Sequence, residues 1–503
     1  MDPIDTPLNS LPSLSYTSTA EDPTTIINDE ENKRFTKHSA LVTLLIMSIG
    51  PFSLLIQALG ETFDMFLITK RFNNSPDSHA IEIIGFTGQI IGFSYYVGLF
   101  FGQAISSRVS ALIGSGDRLS ASHLVSNSIL LCFIVSIFFV IVLVCIIKPL
   151  LRFLGTPDYM LDPTFKFLMP IYAAVPITSL VFIAQYFLQS IGNSILSGLV
   201  KVSVYILQLT IFSPLFLFGL KVSTTFMKLG NVVSNIIVAF VMMLLMYRGK
   251  FSLILNFKDI FSKIDPEISK AVISALPLLL SYFVYSLPQI LILQTLTSEA
   301  KNYAKEIGGV FAVYTRLAAI VAEFPAAFMQ SFLSTGTHAW GSKNPKRLIQ
   351  LILWTAFLSV CATFFISLVI ILNKNKICRA FLDNEMEIKL AEKMIPIPFY
   401  TTTLQGVSGT MSILMIVIGK PIFAFIPNFI QMLILCIGCK IIAMLKKDDV
   451  ISIMYVYNIS DLTIFTLNLI LLFIPVLEIK KKLKELNSKQ LNEKLLYGSQ
   501  MLN

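Results

Sequence analysis

The chain has 503 residues, of which 55% are hydrophobic and 14% are charged, and it carries a formal net charge of +9 with a mean hydropathy of +0.74. Soluble globular domains carry about 25% charged residues, so this composition excludes a soluble domain and indicates an integral membrane protein. The basic residues lie mainly at the ends of apolar segments, which argues against nucleic acid as a partner.

The segment before the first apolar stretch is polar. Residues 1–38 are rich in Ser, Thr, Asp and Glu and lack the apolar core of a secretory signal, so they predict a disordered cytoplasmic tail. Basic side chains lie within residues 33–37 and again within 480–484, one cluster on each side of the apolar region. Because basic flanks stay on the cytoplasmic side, both termini are predicted to be cytoplasmic and the number of spans to be even.

Most of the remaining chain consists of apolar segments, each close to the ~20 residues that a helix needs to cross the hydrocarbon core. We therefore predict an all-α membrane protein with about twelve transmembrane helices. The predicted spans are 39–60, 84–105, 123–147, 164–188, 196–219, 224–246, 268–293, 307–332, 348–372, 394–418, 421–444 and 450–476.

One connection between spans occurs twice. "SALIGSGDRLSASHL" and "HAWGSKNPKRLIQLI" each contain a Gly-Ser pair, and the two glycines, Gly114 and Gly341, are 227 residues apart. Other pairs keep this offset to within one residue: Arg152 with Arg379, Gly192 with Gly419, Pro51 with Pro277, and Pro170 with Pro396. A near-constant offset across the chain indicates a duplicated unit of about 220 residues.

Each unit contains six predicted spans, so both copies enter the membrane in the same sense and are related by a pseudo-two-fold axis along the membrane normal. Two six-helix bundles in this arrangement leave a cleft between them. In each copy the glycine permits a tight turn, and Asp117 or Asn344 is positioned to cap the next helix. The predicted organisation is a cytoplasmic tail at 1–38, an N-terminal lobe at 39–247, a cytoplasmic linker at 248–267, a C-terminal lobe at 268–477 and a basic cytoplasmic tail at 478–503.

Several short stretches resemble the multidrug and toxic compound extrusion (MATE) family, within the wider multidrug/oligosaccharidyl-lipid/polysaccharide exporter superfamily. They are "FDMFLITKRF" from Phe63, "ISSRVSALIGSGDRLSA" from Ile105, "LQSIGNSI", "EFPAAFMQSFLSTGTHAWGSKNPKRL" from Glu323, and "MIVIGKPI". With their spacing, the likeness covers about residues 40–475. The resemblance implies a cation-coupled antiporter with two six-helix lobes that expels amphipathic, often cationic, organic compounds.

Two acids lie near the end of the first predicted span. Glu61 and Asp64 are three residues apart, so they share one part of a helix surface, and their mutual repulsion would favour binding of a proton or another cation. The alternative is that the helix ends near Gly60 and both acids face water. The resemblance matches Asp64 to the family's first-helix acid, which binds the coupling cation in some members.

The fifth predicted span departs from the family pattern. Members often have Asn and Asp four residues apart before a proline, whereas this chain has Leu209 and Ser213 before Pro214. Ser213 offers an oxygen but no charge, so the amino-terminal cation site is incomplete.

Other charges within spans are candidates for coupling, because each is costly in the bilayer. Arg316 and Glu323 lie on one face of the eighth span but are too far apart along the axis to pair directly. Asp461 lies inside the last span and could meet Arg316 or take up a second proton. The alternative is that these residues form ion pairs that hold the lobe together. Pro51 and Pro277 are predicted to allow helix bends.

The remaining motifs favour transport over catalysis. Cys436 and Cys439 form a CxxC without a second ligand pair, so no metal site is predicted. All four histidines lie at or outside the ends of the spans, and no phosphate-binding loop is present, so we expect neither an enzyme nor a bound cofactor.

We therefore predict a monomeric secondary antiporter of the plasma membrane whose partners are small organic substrates and the lipid bilayer. It would export amphipathic, cationic compounds in exchange for H⁺ or Na⁺ by alternating access between the two lobes. A flippase for lipids or lipid-linked sugars and a non-transporting ligand-binding receptor are the alternatives.

Overall fold

The computed structural model describes residues 33–72, 83, 87, 90–153, 156, 158–251, 266–300, 303–382, 384–446 and 449–500. Within these ranges the secondary structure is helical and contains no strand, which confirms the predicted all-α class. Most of the predicted amino-terminal tail, 1–32, and most of the predicted linker, 252–265, lie outside the described residues.

Eight α-helices of the first half have both bounds within the described ranges. They are α1 (Ala40–Ser48), α2 (Ser53–Phe72), α3 (Phe93–Ser115), α4 (Arg118–Phe153), α5 (Asp158–Ala173), α6 (Val175–Ser190), α7 (Ser194–Ile206) and α8 (Leu229–Tyr247). Two π-helical segments, Leu207–Phe212 and Leu215–Gly219, extend α7 on either side of Ser213 and Pro214. Segments of this kind are rare and are often found at functional sites.

The second half follows the same order with longer helices at its start. Its described helices are α9 (Pro266–Ala300), α10 (Ala304–Gly341), α11 (Pro345–Leu372), α12 (Lys374–Phe381), α13 (Glu385–Met394), α14 (Pro396–Phe399), α15 (Thr402–Val417), α16 (Ile422–Leu445), α17 (Tyr455–Leu471) and α18 (Phe473–Gln500). The last helix carries the basic cluster that follows the apolar region.

Ten helical segments in the described ranges are long and apolar enough to cross a membrane, and an eleventh span is formed by α5 and α6, which meet at an angle of 46°. The predicted span at 394–418 is not one continuous helix, because it is divided into α14 and α15 at Tyr400 and Thr401. Pro396 and Pro398 remove two backbone donors just before this break. The corresponding break between α5 and α6, at Ala174, lies 227 residues before Thr401.

The two glycine-containing turns have the same geometry. Gly116 and Lys343 both have positive φ, 87° and 56°. Asp117 and Asn344 then accept a hydrogen bond, at 3.1 Å in both cases, from the backbone N–H three residues later. The predicted caps are therefore confirmed, and the turns are equivalent in conformation. The prediction that Gly114 and Gly341 form the turns is wrong, because both lie within helices and the residues with positive φ are Gly116 and Lys343.

More distant features repeat with the same offset. Gly192 and Gly419 both have positive φ, 77° and 79°, at the turns that follow α6 and α15. Arg152 pairs with Asp158 at 3.5 Å, and Arg379 pairs with Glu385 at 3.7 Å. These paired residues also differ in number by 227, so the duplication extends to local backbone structure and surface ion pairs.

The two halves approach each other closely at Gly114 and Gly341. A Cβ atom on Gly114 would collide with the carbonyl oxygen of His338, and one on Gly341 would collide with that of Ala111. His338 and Ala111 are themselves related by the 227-residue offset. The repeated turn thus brings α3 and α10 into reciprocal backbone contact, and we call this side of the molecule the glycine-turn end.

The apolar surface is used in two ways. A buried cluster joins both halves and includes Leu112 of α3 and Phe332 of α10. Other apolar side chains face outwards, such as Phe138 of α4 and Phe357 of α11, which are 67% and 57% exposed. An outward apolar surface on long helices fits contact with lipid.

Candidate functional site

The first buried carboxylate lies in the middle of α2. This helix continues through Gly60 to Phe72, so the alternative in which it ends before the two acids is wrong. The side chain of Asp64 is fully buried, whereas Glu61 is half-buried. Asp64 therefore needs partners within the protein.

Asp64 has two partners, one on each carboxylate oxygen. The ammonium group of Lys228 lies 2.7 Å from Oδ2, and the hydroxyl of Ser213 donates to Oδ1 at 2.6 Å. Ser213 is positioned by the π-helical break after α7, and Lys228 directly precedes α8. The structure thus brings together two residues that the sequence singled out and a lysine that it did not.

Close packing holds this arrangement in place. Gly230, in the first turn of α8, is so near Ser213 that a Cβ atom would lie 2.7 Å from its Oγ. Beside it, the amide of Asn231 donates to Oε1 of Gln208 at 2.8 Å. The start of α8 is therefore fixed against the π-helical segment, which sets the position of Lys228 relative to Asp64.

Glu61 belongs to a neighbouring polar cluster. Its Oε1 accepts hydrogen bonds from the amide of Gln57 at 3.0 Å and the hydroxyl of Tyr205 at 3.3 Å. Lys201 of α7 is 1% exposed, interacts electrostatically with Glu61, and has its ammonium group 3.6 Å from the ring centre of Phe182. Two acids and two lysines thus lie in one polar region of the part of the first half that the structure describes.

These lysines correct one sequence interpretation. Arg316 was considered as the basic residue within a span and Lys201 was not considered, but Lys201 is buried and Arg316 is exposed on α10. Hydropathy did not indicate Lys201, because one lysine hardly changes the mean hydropathy of the long apolar fifth span. Lys228 lies within the predicted span 224–246, close enough to its start to look like a flanking residue.

The second buried carboxylate, Asp461 of α17, has only uncharged partners among the described residues. Its two oxygens accept hydrogen bonds from the hydroxyl of Thr401 at 2.8 Å and the amide of Gln405 at 2.9 Å. Thr401 lies at the break between α14 and α15, so the interruption of the predicted tenth span places a donor on this acid. Asp461 is 3% exposed, and Arg316 is not among its partners.

Glu323 lies on α10 at the boundary between the halves. It is half-buried, and it is near enough to Glu61 for their negative charges to repel each other. Close to it in the chain, Gln330 accepts a hydrogen bond at 3.1 Å from the hydroxyl of Tyr186 in the other half. The boundary between the lobes is thus polar on α10, although Glu323 has no hydrogen bond or ion pair within the described part of the chain.

The predicted bend residues lie at different kinds of position. Pro51 lies between α1 and α2, where the first span is interrupted. Pro277 lies inside α9, and its carbonyl oxygen accepts a hydrogen bond at 3.2 Å from the amide of Asn428. That carbonyl thus has a side-chain donor from a neighbouring helix.

Comparison with known proteins agrees with the internal repeat. The model of the MatE family matches this chain twice, over residues 51–215 and 277–441. A curated relative, the multidrug export protein MepA of Staphylococcus saprophyticus, is 26% identical over 161 residues. That match covers 32% of this chain and 36% of MepA, so it spans about a third of each protein.

Solved structures show the same fold at low sequence identity. A MATE crystal structure in complex with MaL6 has a TM-score of 0.79 at 15% identity and covers 90% of this chain and 99% of that chain. A MOP-superfamily transporter from Pyrococcus furiosus, whose binding pocket is described as having reverse polarity, has a TM-score of 0.78 at 14% identity and covers 90% and 98%. The predicted arrangement of two six-helix bundles is confirmed by this likeness.

Proposed function

Because this chain belongs to the MatE family, we propose that it is a secondary active antiporter that exports amphipathic, cationic organic compounds. The exchange ion is H⁺ or Na⁺, and the two lobes give alternating access to the cleft between them. The protein resides in the plasma membrane with both termini in the cytoplasm. The family membership supports the transport class, and the remaining features are our proposal.

One observation carries the mechanism. Gly114 and Gly341 bring the lobes into reciprocal backbone contact at the glycine-turn end, which we assign to the cytoplasmic side. Opening this end requires the contact to separate as the lobes rock. A contact built from bare backbone on both sides can close tightly without interlocked side chains, which suits a gate that opens and closes repeatedly.

The buried carboxylates provide the coupling. Asp461 has uncharged donors on both oxygens, and Glu323 faces the lobe boundary. A buried acid without a counter-ion favours binding of a proton or metal cation, and exposure to water in another conformation favours its release. We propose Asp461 and Glu323 as the principal coupling acids, with Glu61 and Asp64 contributing to the electrostatics of the cleft.

Dye efflux from proteoliposomes tests this function. Purified protein is reconstituted with a fluorescent organic cation inside, and a pH gradient or a Na⁺ gradient is imposed separately. We expect efflux driven by one gradient and abolished by collapsing it. A matched variant at an exposed ion pair, Arg152→Ala, should transport at the wild-type rate.

Two other functions have specific observations in their favour. The Asp64–Lys228 pair neutralises the first-lobe acid, which favours a ligand-binding receptor without ion-driven flux. The buried Lys201 favours a flippase whose lipid substrate carries an anionic head group. Dye binding without gradient-driven efflux would select the receptor, and translocation of a labelled anionic lipid without dye efflux would select the flippase.

A further inference from the structure

The first lobe already contains a cation at its buried carboxylate. Asp64 is 0% exposed, and the side chain of Lys228 is 15% exposed with its ammonium group 2.7 Å from Oδ2. The other oxygen, Oδ1, accepts the hydroxyl of Ser213 at 2.6 Å. Both oxygens of the carboxylate are therefore engaged by groups of the chain itself.

We propose that the ammonium group of Lys228 is a tethered cation that occupies the Asp64 site in place of a dissociable Na⁺ ion. The inference deepens the proposed function and rests on it for its role in transport. An antiporter built in this way has no Na⁺ site at Asp64, and its exchange ion binds elsewhere.

The charge balance supports this assignment. Asp64 and Lys228 cancel each other, so a Na⁺ ion at the same carboxylate would leave a net positive charge in a buried place, which is costly. The other two charged groups in this region are Glu61 and Lys201. Glu61 interacts electrostatically with both Lys201 and Lys228. Among the described residues, a Na⁺ ion at Asp64 would thus enter a cluster in which two acids, Asp64 and Glu61, already face two lysines, Lys201 and Lys228.

The geometry also explains why Ser213 is sufficient. A metal cation needs several oxygen ligands, whereas an ammonium group needs only acceptors for its three protons. Ser213 in place of an acid removes one charged ligand from a metal site and leaves the carboxylate of Asp64. The single charge of one lysine balances that carboxylate. The departure of the fifth span from the family pattern and the presence of Lys228 are therefore two parts of one change.

Sodium binding to the purified protein tests the proposal. Thermal unfolding is measured in NaCl and in KCl at equal ionic strength for the wild type, Lys228→Met, and Asp64→Asn combined with Lys228→Met. Lys221→Met, which removes an exposed lysine seven positions before Lys228 in the chain, is the matched control. We expect Lys228→Met to acquire a saturable, Na⁺-specific rise in Tm of about 2 °C or more, because the freed carboxylate can then bind the ion.

The wild type, the double variant and Lys221→Met should show equal responses to Na⁺. A folded Lys228→Met protein without an added Na⁺ response would overturn the proposal. If that variant does not fold, binding of ²²Na⁺ by the wild type and the double variant decides. Equal binding supports the tethered cation, whereas additional binding by the wild type contradicts it. Because ion binding needs no flux, failure here is distinguishable from failure of the transport function.

Discussion

Asp64 in the first lobe and Asp461 in the second are both buried carboxylates, but their partners differ in charge. Asp64 pairs with the ammonium group of Lys228, whereas Asp461 accepts hydrogen bonds from Thr401 and Gln405. An offset of 226 or 227 residues relates Asp64 to Ile290 or Leu291 and Asp461 to Asn235 or Ser234, none of which is charged. The lobes have kept the same backbone plan while their ionisable groups have diverged.

This difference separates two roles for a buried acid. A carboxylate that is paired with a lysine of its own chain is neutralised and stabilises one arrangement of helices. A carboxylate held by uncharged donors keeps its charge unbalanced and can take up an ion from outside. Four experiments test this comparison between the lobes, from the largest expected effect to the smallest.

The largest effect is expected at the ion pair. Asp64→Asn leaves the ammonium group of Lys228 buried without its counter-ion, which should lower the free energy of unfolding by about 3–5 kcal/mol. Adding Lys228→Met to this variant should restore most of the loss. Thermal unfolding of both single variants and the double variant forms the cycle that measures the coupling, and additive losses would show that the pair is not formed.

At the two glycines we expect a smaller loss of stability than at the ion pair, and a similar loss for both. Gly114→Ala and Gly341→Ala each place a methyl group against a carbonyl oxygen of the other lobe, so each should cost about 1–3 kcal/mol of stability in the closed state. Accessibility of a cysteine introduced next to the turn would report opening of the glycine-turn end. Gly308→Ala is the control on α10, because a Cβ there has no neighbour within 4 Å. A large loss of stability for only one of the two glycine variants would contradict the reciprocal contact.

At Asp461 we expect a small change in stability and a large change in coupling. Asp461→Asn keeps an acceptor for Thr401 or Gln405 and leaves no counter-ion unpaired, so the free energy of unfolding should change by about 1 kcal/mol. Gradient-driven dye efflux should fall at least tenfold if Asp461 exchanges the ion. Efflux at the wild-type rate would instead direct attention to Glu323→Gln, measured in the same assay.

The smallest effect is expected at the two repeated surface ion pairs. Arg152→Ala and Arg379→Ala remove exposed pairs, with side chains between 62% and 87% exposed, so each should change stability by less than about 1 kcal/mol. The effect should shrink further in high salt because exposed charges are screened. Stability is measured by thermal unfolding. Losses that differ between the two variants or do not depend on salt would show that these pairs are not simple exposed ion pairs.

Much of the candidate site could be anticipated from local sequence. The cost of charge in a membrane helix singled out Asp64, Glu323 and Asp461, and the family resemblance connected Asp64 with Ser213. The pairing with Lys228 could not be predicted, because that residue is 164 positions away and lies near the start of a span, where a lysine usually faces water. Arg316 lies within a predicted span, but its side chain is exposed on α10.

Length, hydropathy and internal spacing by themselves determined that this chain is a duplicated bundle of membrane helices. Helices that cross a bilayer need apolar segments of a certain length, and a duplicated fold repeats its motifs at a near-constant offset. The caps at Asp117 and Asn344 were also local, since each acts within three residues. Only the tertiary structure decided which buried acid has a counter-ion. Ion pairing depends on distances of a few ångströms between helices that are far apart in the chain, and these distances are set by how the helix faces pack.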